Sequence, residues 1–160
     1  RARLDVAALL VGVARAAAGF SREDALGRVA FGRPIAHHQA LAFLIADMAS
    51  AVDAARLLVH DAALRLDAGE DGVGPCASAF LEAAEQALFV TPNAVQILGG
   101  HGFMQDYPVE KWMREARVLG LLHGGVDAAR EDAGRALTAA APADCEPDGP
   151  MALASRAAPR

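Results

Sequence analysis

A chain of 160 residues is the size of one domain with a single core. Its 54% hydrophobic and 22% charged residues make a globular balance, which argues against wholesale disorder. A formal charge of −5 and a pI near 5.5 argue against nucleic acid as a partner, because phosphate binding needs a basic face.

Two cysteines, Cys76 and Cys145, make no disulfide framework, and no C-x-x-C pair points to zinc; a cytoplasmic location is the default. The opening "RARLDVAALLVGVARAAAGF" resembles a signal peptide, but Asp5 precedes its apolar stretch and Arg15 interrupts it. It reads as an amphipathic helix. No window holds 18 uninterrupted apolar residues, so no membrane span is expected. An opening Arg in place of Met reads as a fragment or a processed chain.

Helix formers dominate, so the predicted fold is all-α. The first helix covers about residues 3 to 28, with Gly19 and Ser21 weakening its middle enough to permit a break. "FGRPI" stops it, since Gly32 relaxes the backbone and Pro34 biases Arg33 away from helix. The second helix runs from about Ala36 to Ala68. Leu41, Leu44, Ile45, Met48, Val52, Ala55, Val59, Ala62 and Leu66 recur there at three- and four-residue steps. At roughly 45 to 50 Å it needs neighbours along its whole length, which implies an antiparallel bundle.

"DAGEDGVGP" reads as a turn with Gly69 just past the helix end. A third helix covers about Cys76 to Leu98, and Pro92 inside it predicts either a kink or a restart capped by Thr91. "GGHGFMQDYP" is a loop; a fourth helix spans about Val109 to Leu121 and a fifth about Val126 to Ala139. The last twenty residues hold four of the eight prolines and read as a tail without fixed structure, so the domain is taken as 1–139 and the tail as 140–160.

Three stretches carry candidate chemistry. In "GRVAFGRPIAHHQ", Arg28, Arg33, His37, His38 and Gln39 surround a helix start, whose free N–H groups suit an anion; the alternative is a polar corner facing water. In "VQILGGHGFMQDYP", Gly99, Gly100 and Gly102 permit close backbone approach beside Gln96; the alternative is a Schellman-type stop. In "VLGLLHGGVDAAR", His123 is a general base, a cofactor contact or a packed ring, and Gly124-Gly125 precede a helix start that can take a phosphate. The five histidines show no metal-binding spacing, and no acyl-transfer nucleophile stands out.

In order and spacing these stretches resemble the C-terminal helical domain of the acyl-CoA dehydrogenase family. The matching residues are Arg28-x-x-Phe31-Gly32-x-Pro34-Ile35 with Gln39, then Ala46-Asp47-Met48 and Ala55-Arg56. They continue with Ala94-Val95-Gln96-Ile97-x-Gly99-Gly100-x-Gly102-Phe103, Tyr107 to Lys111, and Arg114-x-Ala116-Arg117; the whole covers about residues 3 to 137. The resemblance implies an up-down antiparallel four-helix bundle with a short additional C-terminal helix, at the core of an oligomer. It also implies an oxidoreductase that removes hydrogens from the α and β carbons of an acyl-CoA and passes a hydride to FAD. Arg28, Phe31, Gln39, Gln96, Gly99, Gly100 and Gly124 would then meet the cofactor, the first six on the FAD of a neighbouring subunit.

The chain departs from the family at the base. After the R-x-A-R run the family commonly reads aromatic-Glu-Gly-Thr, the Glu taking the α-proton; here the four residues are Leu122, His123, Gly124 and Gly125. Other members carry the base on the first helix, where this chain has Ala2 before Arg3. His123 is therefore the candidate catalytic residue, since neutral imidazole accepts a proton near physiological pH. The alternative is a non-catalytic subunit that partners an active paralogue. The long apolar second helix predicts a dimer or tetramer, homo- or hetero-oligomeric.

Overall fold

The structure is a computed structural model and describes residues 1–139; the tail predicted over 140–160 lies outside the described residues. Five helices carry the fold: α1 (Ala2–Gly27), α2 (Gln39–Asp67), α3 (Val73–Leu98), α4 (Val109–Leu119) and α5 (Gly125–Ala139). A two-residue ribbon, β1 (Val29–Ala30) against β2 (Arg33–Pro34), and three short 3-10 turns join them. The all-α expectation is met.

The contacts set the directions. Leu4 at the start of α1, Ala62 near the end of α2, and Cys76 and Ala79 at the start of α3 form one buried cluster. At the opposite end Arg28 reaches the Leu98 carbonyl. Thus α2 runs against both α1 and α3. The space a Cβ on Gly120 would take faces Ala84, and that on Gly74 meets Ala136, so α4 and α5 both descend along α3. Their 11 and 15 residues rise about 39 Å together, as do the 26 residues of α3. The fourth position of the bundle is therefore one rod broken in two. The helix expected as an addition continues the fourth.

Alanine-rich faces let the rods approach closely around Leu10, Met48, Phe80, Val90, Leu98 and Val109, each less than 2% exposed. Phe20 meets Tyr107 and Trp112 edge-on and ties α4 to α1. α1 is long and apolar enough by composition to cross a bilayer, yet its Val6, Leu10, Ala14 and Ala17 stripe is buried in this core.

Several local expectations are corrected. α1 runs unbroken through Gly19 and the buried Ser21, whose hydroxyl donates to the Ala18 carbonyl, because Ala17 and Ala25 on either side pack into the core. Thr91 is no N-cap: α3 continues through Pro92, and the buried Thr91 Oγ1 donates to the Ala87 carbonyl at 2.8 Å. Asn93 Nδ2 likewise donates to Phe89, so both side chains bond carbonyls flanking the one the proline leaves unpaired. α3 starts at Val73, ahead of the expected Cys76, since Pro75 in the first turn would lack an intrahelical partner anyway. α2 starts at Gln39, later than expected, because residues after Pro34 tighten into a 3-10 turn over Ile35–His37.

The end of α2 follows expectation. Gly69 takes φ +81, its N–H bonds Leu66 and the Glu70 N–H bonds Arg65, the two bonds of a Schellman motif.

Candidate functional site

The first cluster forms where α1 ends. β1 and β2 pair in register Ala30↔Arg33 across Phe31-Gly32, and both turn residues have positive φ (54 and 79), as a type I′ turn requires. Such a φ suits Gly32 but opposes Phe31, which is also 96% exposed. A strained, solvent-facing aromatic contributes little to the core. His38 braces the turn. Arg33 Nε and Nη2 lie 3.3 and 3.2 Å from His38 Nδ1. A guanidinium only donates, so Nδ1 accepts and Nε2–H donates to the Ala30 carbonyl at 3.1 Å. The Phe31 and His38 rings meet edge-on.

Arg28 joins this turn to the end of α3. Its Nη1 donates to the Leu98 carbonyl at 3.1 Å, leaving the remaining guanidinium donors at the surface. Gly99 follows with φ 61 and ψ −130, a backbone that glycine alone adopts readily. It makes no Schellman stop; its N–H bonds Gln96 and the chain goes on as a 3-10 turn over Gly99–Phe103. Space beside Gly100 is empty within 4 Å, whereas a Cβ on Gly102 would fall 2.4 Å from the Val95 carbonyl. Gly102 fixes the turn against α3 and Gly100 leaves its outer side open. Gln39 and Gln96 are exposed.

The second cluster is the joint between α4 and α5. His123 (φ 53, ψ 35), Gly124 (φ 90) and Gly125 (φ 71) are three left-handed residues in succession, so the chain leaves one helix and re-enters another within three positions. His123 and Gly124 are exposed, and Leu121 and Leu122 beside them are 76% and 41% exposed. The joint is held from outside: Arg3 Nη2 donates to the His123 carbonyl at 3.1 Å, and Arg3 Nη1 bonds Asp132 at 2.7 Å.

Of the predicted residues, the structure gathers Arg28 with Gly99 directly, puts Phe31 on the adjoining turn, and leaves His123 and Gly124 elsewhere. α3 meets Gly120 at Ala84 and Arg28 at Leu98, about 21 Å of helix rise apart. Sequence reading missed the bracing role of His38 and the part played by Arg3 and Asp132. The Arg3 contacts span 120 and 129 positions, so no local pattern could reveal them.

A family model described as "Acyl-CoA dehydrogenase, C-terminal domain" matches residues 1–138. The chain belongs to the acyl-CoA dehydrogenase family, as its C-terminal domain. It is 42% identical over 137 residues to the cyclohex-1-ene-1-carbonyl-CoA dehydrogenase of Syntrophus aciditrophicus, covering 84% of this chain and 33% of that protein. It is also 42% identical over 123 residues to the acryloyl-CoA reductase (NADH) of Anaerotignum propionicum, covering 77% and 31%. The butyryl-CoA dehydrogenase structure from Megasphaera elsdenii superposes with a TM-score of 0.83 at 37% identity, over 85% of this chain and 36% of that one. The chain thus spans about a third of the length of the relatives it matches. For an acyl-CoA dehydrogenase domain, the exposed corner at Arg28 and the joint at His123 are its two departures from a plain bundle.

Proposed function

We propose that this chain is part of a flavin-dependent acyl-CoA dehydrogenase-type oxidoreductase, acting on the carbon–carbon bond beside a thioester, and that it holds FAD through the corner at the end of α1. The observation that carries this reading is Arg28, fixed on the Leu98 carbonyl with its other donors outward, beside the open backbone of Gly99 and Gly100. FAD brings an anionic pyrophosphate and flat rings. A guanidinium, glycine backbone without obstructing side chains, and the fully exposed Phe31 ring match that chemistry. Gln39, Gln96 and Gly124 complete the proposed contacts. A solved structure of PigA with FAD and proline, superposing at a TM-score of 0.82 and 26% identity, supports the same cofactor class.

Bound FAD supplies the acceptor for a hydride from the substrate β carbon. His123 is proposed to take the proton from the α carbon onto its imidazole. The left-handed backbone of residues 123–125 turns this exposed residue out of the helical rod. About 21 Å of α3 rise between the corner and the joint favours an assembly in which one copy's corner serves a neighbour's cofactor. α2 supports the assembly too: its outer face leaves Phe43, Leu57 and Leu64 62–69% exposed, at multiples of seven residues. A second reading, a non-catalytic subunit in a hetero-oligomer, is favoured by the lack of a carboxylate at both Ala2 and His123.

The visible spectrum of the protein expressed from its native-length gene, with co-purifying partners retained, tests these readings. A flavin spectrum bleached by acyl-CoA supports the dehydrogenase, and loss of flavin in Arg28→Gln supports the corner. Bound flavin without bleaching favours the non-catalytic subunit. No flavin in any assembly rejects both.

A further inference from the structure

Resting on the reading that residue 123 carries the proton-accepting group, we propose that Arg3, clamped by Asp132, is the positioning residue that holds the His123 joint in its working conformation.

The joint's own backbone bond, from the Gly125 N–H to the Leu122 carbonyl, does not engage His123. His123 and the two glycines occupy left-handed backbone, which His tolerates better than most residues but does not prefer. The glycines bring no side chain to pack, and the stretch from Leu121 to Gly124 is exposed. Among the described residues, one side chain bonds this stretch from outside. Arg3 is only 19% exposed at its side chain and directs Nη2 to the carbonyl of His123 itself, the residue with the unfavourable backbone. Its other arm, Nη1, meets Asp132 Oδ2 at 2.7 Å, two turns into α5, and Arg135 lies 3.9 Å from the second Asp132 oxygen.

The guanidinium therefore links three pieces of chain: the first turn of α1, the joint, and the body of α5. A simple ion pair between α1 and α5 would need Asp132 alone. The second bond fixes the φ/ψ of the residue whose side chain must reach the substrate. A rigid fork with parallel donors suits this task, and a lysine, with one flexible ammonium, could make either bond but would hold both poorly.

The consequence is kinetic. Freed from Arg3, the joint samples other backbone conformations and the imidazole spends less time in reach. A displacement of about 1 Å at a catalytic group costs about 100-fold in rate. A residue that acts only by positioning the base lowers kcat and leaves KM constant.

The test compares the flavin-loaded, native-length protein with Arg3→Gln, Arg3→Lys, Asp132→Asn and His123→Ala. Arg130→Gln, which removes an exposed ion pair between Glu85 and α5, is the control. Two readouts are taken: amide hydrogen exchange over residues 121–126, which needs no turnover, and kcat with KM. Arg3→Gln and Asp132→Asn are expected to speed exchange at the joint and to lower kcat by about 100-fold at constant KM. Arg3→Lys recovers part of this loss, the Arg3→Gln/Asp132→Asn double variant is no worse than either single, and the control matches the parent.

Unchanged exchange in Asp132→Asn, which leaves α1 intact even if Arg3→Gln fails to fold, overturns the clamp whatever the kinetics. Faster exchange with full turnover in both Arg3→Gln and His123→Ala upholds the clamp and rejects His123 as the base. Loss of turnover in His123→Ala with full turnover in Arg3→Gln keeps the base and overturns the positioning role.

Discussion

Gly102→Ala probes how tightly the turn beside Arg28 is seated. Gly102 is buried, and the added methyl would fall 2.4 Å from the Val95 carbonyl oxygen and 3.0 Å from both its Cα and Cγ1. Two of these three atoms are backbone in the last turns of α3 and cannot swing aside. The 3-10 turn must lift off the helix or α3 must bend. Overpacking costs about 1–3 kcal/mol, and a rigid obstacle places this case at the upper end, about 3 kcal/mol. For a chain of this size that lowers Tm by about 6–12 °C. Gly100→Ala, two residues earlier, is the control. It has no atom within 4 Å and no positive φ, so alanine should be neutral or stabilise by about 0.4–1 kcal/mol through the unfolded chain. Urea unfolding followed by far-UV circular dichroism, at one protein concentration so that assembly contributes equally, gives both values. If Gly102→Ala lies within about 0.5 kcal/mol of Gly100→Ala, the seating argument is wrong.

Three other outcomes follow from the same geometry. Phe31→Asn creates Asn-Gly in a type I′ turn and removes an exposed ring from left-handed backbone, so thermal melting should show a gain of about 1 kcal/mol while flavin retention falls. A rise in both would refute the role given to Phe31. Leu57→Lys places a cation between Asp53 and Asp61 on the outer face of α2. It should keep its far-UV spectrum but lose mass by light scattering, and an unchanged oligomer would exclude that face as the interface. Glu110 accepts two bonds from Arg114, which hold its carboxyl below the usual glutamate range. The pair stabilises at pH values above that range and is lost as pH falls through the lowered value; an NMR titration should show the midpoint rise in Arg114→Gln.

The repeating apolar residues of α2 were legible because burial alone selects them, and the end at Gly69 because only glycine suits its φ. Features that depended on a competition between local and tertiary terms were not. Gly19 and Ser21 weaken an isolated helix, but packing of Ala17 and Ala25 against the core outweighs that cost. Pro92 removes one helix bond, yet Thr91 and Asn93 bond the carbonyls beside it, and their ability to do so shows only in three dimensions. The β-ribbon was hidden because a phenylalanine occupies a turn position that sequence rules give to asparagine or glycine. Of the candidate site, Arg28 and the glycines were readable as residue types suited to an anion. What fastens them was not, since Arg28 reaches a carbonyl 70 positions away.

The break in the fourth rod separates two jobs that an unbroken helix would combine. In a continuous helix every side chain on the inner stripe is constrained by volume, so changing its chemistry disturbs the packing. Here Val109 and Ala116 anchor the upper half, Gly125, Ala129 and Ala133 anchor the lower half, and residue 123 stands exposed between them. Because it is exposed, its side chain can change without opening a cavity on either side. Residue 123, the proposed proton acceptor, is an interchangeable tip on a fixed handle, free to vary in chemistry while the rod on either side keeps its packing.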